Sequence, residues 1–180
     1  MTPIEKLVHE HKIILSVLDS MEREVRSIRT TGTVHGDIVR QMVDFFRSFA
    51  DRCHHAKEEK HLFRMMNERG FPYESGPLAV MLHEHDEGRL HVAEIERLIE
   101  KAGEGDAVAL DSLAGAMTDY AALLRSHIGK EDNVLYPMAG NLLSDADMAE
   151  LGGIFEKVEA EEIGEDRKST RLNSSHESPS

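Results

Sequence analysis

The chain has 180 residues, enough for one domain with a substantial core, and a net charge of −13. That balance lacks the Lys and Arg stripes that a phosphate backbone requires and disfavours an anionic bilayer surface, so neither nucleic acid nor a membrane is an expected partner. Tryptophan is absent and there are only five prolines, so the core must rest on Leu, Ile, Val, Met and Ala, which suits helices better than a sandwich or barrel.

The first ten residues are charged and lack an apolar signal core, and no apolar run approaches the roughly 20 residues that cross a bilayer. Cys53 is the single cysteine, so an internal disulfide is excluded and a cytoplasmic location is expected. Pro3 suits a first helical turn. Ile4, Leu7, Val8, His11, Ile14, Leu15, Leu18, Met21, Val25 and Ile28 then trace one stripe at helical spacing, closed by Thr30-Thr31-Gly32. A second helix is predicted from about Asp37 to Arg69, with Val39, Met42, Val43, Phe46, Phe49, Ala50, Cys53, Leu62 and Met66 inward, and Gly70-Phe71-Pro72 stops it. A third covers about Leu78 to Lys101. A fourth covers Asp106 to Asn141, where Pro137 should bend or loosen it.

A shorter helix is expected from Asp145 to Glu162, so the predicted domain is 1–163. Residues 164–180 become Ser-rich and unpatterned and are expected to be disordered. The run from Lys168 to His176 resembles adaptor-derived sequence and is left out of the functional reading. Together the elements predict an all-α fold, an up-down-up-down four-helix bundle with a short extra C-terminal helix. Folding the first helix on the second, and the third on the fourth, brings His11 and His85 within about one turn of His54 and His127.

One short pattern occurs twice, as His54-His55-Ala56-Lys57-Glu58-Glu59 and as His127-Ile128-Gly129-Lys130-Glu131. Each sets a histidine and a glutamate at i and i+4, on one helical face. In the first copy His54 and Glu58 continue the apolar stripe through Ala50, Phe46 and Leu62, whereas His55 and Glu59 continue a polar one through Asp51, so His54 and Glu58 are chosen. His11 is preferred to His9 by its apolar flank; periodicity does not separate His83 from His85. Two carboxylates and four imidazoles brought into one interior would be costly without a metal. Imidazole and carboxylate without thiolate suit iron, manganese or zinc. Six donors exceed a closed zinc site, and open positions point to small-molecule chemistry.

Met42, Met65, Met66, Met81 and Met117 read as core filler. Tyr120 reads as a core position, and His55, His61 and His91 receive no role. Neither a nucleophile–base pair nor a phosphate-cradling loop is found.

With Glu10-His11, the run Cys53 to Glu59 followed by Leu62-Phe63, the run Glu84 to Arg89, and His127 to Pro137 on one chain, residues 3–140 resemble the hemerythrin-like HHE cation-binding family. The resemblance favours His85 over His83. It implies a non-haem di-iron centre, two iron ions held by His11, His54, Glu58, His85, His127 and Glu131. Oxygen-carrying hemerythrins have a second histidine four residues from the third-helix ligand, where this chain has Met81 and Arg89. They also use an aspartate five residues after the last histidine; Asp132 stands there, but the repeat favours Glu131.

With one histidine fewer, the pattern is closer to bacterial iron–sulfur repair proteins and to iron- or oxygen-sensing domains than to reversible carriers. The repair proteins usually add an N-terminal cysteine-bearing domain that is not in this sequence. The expectation is a di-iron protein that binds, senses or reacts with dioxygen, nitric oxide or peroxide. The alternatives are an iron-handling or repair protein and a metal-stabilised interaction module. The sequence identifies no protein partner and does not decide whether the chain is an enzyme.

Overall fold

The computed structural model describes residues 1–174, and every regular element among them is helical. Helix α1 (Pro3–Thr31) starts with a reciprocal cap: the Glu5 N–H donates to the Thr2 hydroxyl at 3.1 Å, and the Thr2 N–H to the Glu5 carboxylate at 2.7 Å. Gly32 ends it at φ 67°, a left-handed value that side-chain-bearing residues rarely adopt.

The second helical span is composite. Helix α2 (Gly36–Phe45) runs into two π-helical stretches, Phe46–His55 and Glu58–Leu62, and finishes as α3 (Phe63–Glu68). Helix α4 (Gly76–Gly103) follows. Helix α5 (Ala107–Lys130) is capped by Asp106, whose carboxylate accepts the Ala109 N–H at 2.8 Å. It passes through a third π-helical stretch, Glu131–Leu135, into α6 (Tyr136–Leu142). Pro137 does not stop the span, because it falls in the first turn after that wider stretch, where its missing N–H is least costly.

Two apolar clusters fill the interior. One gathers Ile14 to Ile28 of α1, Val39 to Ala50, Val92 to Ala102 and Ala109 to Ile128. The other gathers Leu7, Leu62 to Met66, Leu78, Met81, Leu135 to Leu143, Leu151 and Phe155. Successive spans visit the two clusters in opposite order, so they alternate in direction. Between the clusters lies a single polar layer at residues 10–11, 54–58, 84–85 and 127–131. The depth match expected from folding helix on helix is therefore present.

The span Ala107–Leu142 contains an 18-residue window with mean hydropathy 1.2, apolar and long enough by composition to cross a membrane. Its Leu113, Ala114, Met117 and Ala121 instead lie in the core against α1 and α4.

The last helix, α7 (Asp145–Ser174), is longer than the short element predicted to end at Glu162. No proline interrupts the sequence before Pro179, and Glu, Lys and Arg, common from Glu156 onward, sustain helix well. Residues 164–174 are thus helical where a disordered tail was expected, and 175–180 lie outside the described residues. Leu151 and Phe155 dock this helix against α1 and both π-helical stretches of the second span. Phe155 is fully buried, so Phe155→Ala is expected to cost about 3–5 kcal/mol, read as a lower midpoint in urea unfolding.

Candidate metal centre

The polar layer brings together all six residues singled out in the sequence. Two overlapping sets have their donor atoms within 4.8 Å of one another: His11, His54, Glu58 and Glu131, and His55, Glu58, His85 and His127. His11, His54, His85 and His127 are each 1% exposed, and both glutamates are fully buried. His9 and His83 point outward, so the choices of His11 and His85 agree with the placement.

His55 is the correction. It was expected on the polar face, yet it is 6% exposed and stacks on His85 with ring centroids 3.9 Å apart. The argument against it assumed the step of about 100° per residue of an α-helix. A π-helical turn closes i→i+5 and rotates less per residue, so His54 and His55 both reach the interior.

Each of the four singled-out histidines is held through Nδ1 by a carboxylate from the preceding helical span, the fourth span serving the first. Glu10 of α1 accepts from His54 at 2.7 Å, and Glu59 of the second span from His85 at 2.7 Å. Glu84 of α4 accepts from His127 at 2.9 Å, and Asp132 of the last π-helical stretch from His11 at 2.7 Å. The bonds form a closed circuit around the layer. Lys57 backs Glu10, Arg89 backs Glu59 at 2.8 Å, and Lys130 backs Glu84. With the proton fixed on Nδ1, every Nε2 offers a lone pair to the centre, the arrangement in which imidazole binds metal.

The interior atoms fit a cation and fit little else. His54 Nε2, Glu58 Oε2 and both Glu131 oxygens are buried without a hydrogen-bond partner. The Nε2 atoms of His85 and His127 face each other at 3.1 Å. Glu131 lies 3.1 Å from His11 Nε2 and 3.1 Å from His127 Nε2 without aligned hydrogen bonds. Orphaned carboxylate oxygens in a dry interior would each cost several kcal/mol, on the order of 1–3 or more. Cations placed between these donors remove that cost.

Without metal, protons must do the balancing. Burial pushes His11 down, but its hydrogen bond to Asp132 and the close carboxylates of Glu131 and Glu58 outweigh it and hold it at about 10. Burial likewise opposes the upward shifts of His85 and His127, and the neighbouring carboxylates override burial and drive them. His55 goes the other way: burial and then the neighbouring His85 push it well below the ordinary imidazole value.

Sequence reasoning missed the carboxylates of the circuit and the hydroxyl of Tyr136, which is wholly buried beside His11 and Glu58. A signal was present. Glu10, Glu59, Glu84 and Asp132 each sit next to a singled-out residue, and Tyr136 holds in the second copy of the repeat the place that Phe63 holds in the first.

A proton-coupled site follows. Because folding raises the His11 value from 6.5 to about 10, its stabilisation of the metal-free protein is complete below about pH 6.5 and lost as pH rises towards 10. Thermal unfolding of metal-free protein across that range should show falling stability. Adding divalent metal in weak buffer should release protons, with affinity decreasing as pH falls.

The family model of the hemerythrin HHE cation binding domain matches residues 2–139. An uncharacterized protein of Mycobacterium bovis and one from each of two Mycobacterium tuberculosis strains are similar to the chain, each 23% identical over 164 residues. The matched stretch covers 91% of this chain and 64% of each relative, so the chain spans less than two thirds of the length of these curated relatives. The matched residues contain both copies of the His-x-x-x-Glu pattern and both donor sets, and the chain belongs to the hemerythrin HHE cation-binding domain family.

Proposed function

We propose that the chain is a non-haem di-iron protein, built as a four-helix bundle with an added C-terminal helix, that binds, senses or reacts with dioxygen, nitric oxide or peroxide. His11, His54, Glu58, His85, His127 and Glu131 are its ligands, and His55 adds a fifth imidazole from the second helical span. The observation that supports this most is the set of buried donor atoms without partners at His54, Glu58 and Glu131. Manganese or zinc suits the same donors, but exchangeable positions on two redox-active ions favour iron.

When bound, the metal pair supplies redox chemistry; the residues supply access and orientation. A cavity of about 90 Å³ reaches His55, His85 and His127 and does not touch His11 or His54. Phe46, Val92, Tyr120 and Leu124 give it an apolar wall suited to small neutral molecules. Arg89 stands at its polar side, held by Asp51 at 2.8 Å and Glu59 at 2.8 Å. Cys53 takes no part: burial first, then Glu162, pushes its thiol up to about 12, which suits an inert thiol in a reducing cytoplasm.

After anaerobic loading with ferrous iron, elemental analysis should give two ions per chain. His55→Ala should weaken the second ion by at least about tenfold, whereas the exposed His83→Ala should bind as wild type. Wild-type uptake by His55→Ala would return His55 to a packing role. Dioxygen or nitric oxide should change the visible spectrum of the loaded protein. An unchanged spectrum with both ions bound would favour a metal-stabilised interaction module instead.

A further inference from the structure

The two copies of the repeat differ inwardly at His55, which answers to Ile128, and at a second place, five residues after each glutamate. Glu58 is followed five residues later by Phe63, and Glu131 five residues later by Tyr136. In a regular α-helix five residues leave a side chain about 140° round from its predecessor. Both glutamates, however, open a π-helical stretch, and in each the backbone N–H of the later residue closes on the glutamate carbonyl. Each aromatic ring is thereby swung onto the face of its glutamate. Phe63 stacks on His85, with centroids 5.9 Å apart and planes 16° apart; Tyr136 stacks on His11 at 5.4 Å and 10°. Ring for ring the two places match, and the phenol oxygen is what distinguishes them.

That oxygen lies 2.6 Å from Glu58 Oε1 and 3.2 Å from His11 Nε2, wholly buried. His11 Nδ1 already donates to Asp132, so Nε2 presents a lone pair towards the same space. Donors bound at about 2.1 Å and at right angles on one ion stand about 3 Å apart. His11 Nε2 stands at such a distance from two oxygens, the phenol at 3.2 Å and Glu131 Oε2 at 3.1 Å, and Glu58 Oε1 lies somewhat closer to the phenol, at 2.6 Å.

We propose that Tyr136 is itself a ligand, closing the metal position formed by His11, His54, Glu58 and Glu131 with a phenolate oxygen. On loading, the O–H bond breaks, the proton leaves to solvent and the oxygen lone pair forms the bond to metal; no electron is transferred. The position beside Phe63 has no such oxygen, so the two ions differ in charge and in openness. This inference rests on the dinuclear reading above.

Ferric iron bound by a phenolate absorbs visible light by charge transfer, and imidazole and carboxylate ligands alone do not give that tyrosine-derived band. Oxidised, iron-loaded wild type should show it, with resonance-enhanced phenol ring vibrations that shift when the protein is grown on ring-deuterated tyrosine. Tyr136→Phe should keep two ions and lose the band, whereas Tyr73→Phe, outside the polar layer, should keep both. Two bound ions without a tyrosine-derived band in wild type, or a band that survives Tyr136→Phe, would overturn Tyr136 as ligand and leave the dinuclear centre standing. Failure of wild type to take up iron would overturn both. If Tyr136→Phe does not fold, the isotope shift in wild type decides alone.

Discussion

Two carboxylates, Glu58 and Glu131, are sealed between two apolar clusters with oxygens that no protein donor satisfies. That constraint organises the rest of the molecule. A buried, unpaired carboxylate is tolerated only if something positive stands beside it. The four surrounding helical spans are arranged to supply either protons or metal at that place. The circuit of Glu10, Glu59, Glu84 and Asp132 answers the same demand from outside. Each takes the Nδ1 proton of a histidine on a neighbouring span and so leaves Nε2 free to meet the charge within. Because every link joins two different spans, fixing the tautomers also fixes how those spans sit against one another.

The sequence carried the architecture well and the inner register poorly, for one physical reason. Helix α1, helix α4 and most of α5 keep the α-helical period, and there the apolar stripes put His11 and His127 on the side that is buried, while His85 was preferred to His83 by the family resemblance. The second helical span does not keep it. Its π-helical stretches add a residue to the turn, so a face computed at 3.6 residues per turn drifts off by His55. The pairing of His54 with Glu58 survived because the two lie before and after the ordinary turn at Ala56-Lys57. The polar-face reading of His55 did not, since the wider turn carries it inward, and the same kind of turn brings in Tyr136, which had been given no place. Asp132 shows the complementary success: the repeat placed Glu131 inward, and Asp132 stands at the rim holding His11. Wide turns of this kind concentrate at functional sites, and here each one bears a glutamate or histidine of the centre.

Lys57 was equally hidden in the sequence, where it reads as one charge in a charged run. It is wholly buried, bonded to Glu10 and to Glu159 at 3.0 Å, and lies 5.5 Å from the Phe155 ring. A lysine without solvent is held only by paired carboxylates, and one of its two comes from α7. The C-terminal helix therefore does more than cover apolar surface. Through Glu159, Lys57 and Glu10 it reaches the Nδ1 of His54 by three consecutive contacts, so the docking of α7 and the orientation of a centre histidine share one charge balance.

The two halves of the centre are related by the repeat but are not equivalent. The half formed by His55, His85 and His127 borders the apolar cavity and has a phenyl ring, Phe63, behind His85. The half formed by His11 and His54 does not line that cavity and has a phenol behind His11. The shared carboxylate Glu58 accepts the Tyr136 hydroxyl through one oxygen and turns the other towards His85 at 3.4 Å. Glu131 likewise faces His11 with one oxygen and His127 with the other, both at 3.1 Å, so a change of charge at one half is felt at the other through two buried carboxylates. The cavity opens onto the imidazole-rich half. Access and charge compensation are thus assigned to opposite sides of Glu58, and the asymmetry traces to two places in the repeat, His55 against Ile128 and Phe63 against Tyr136.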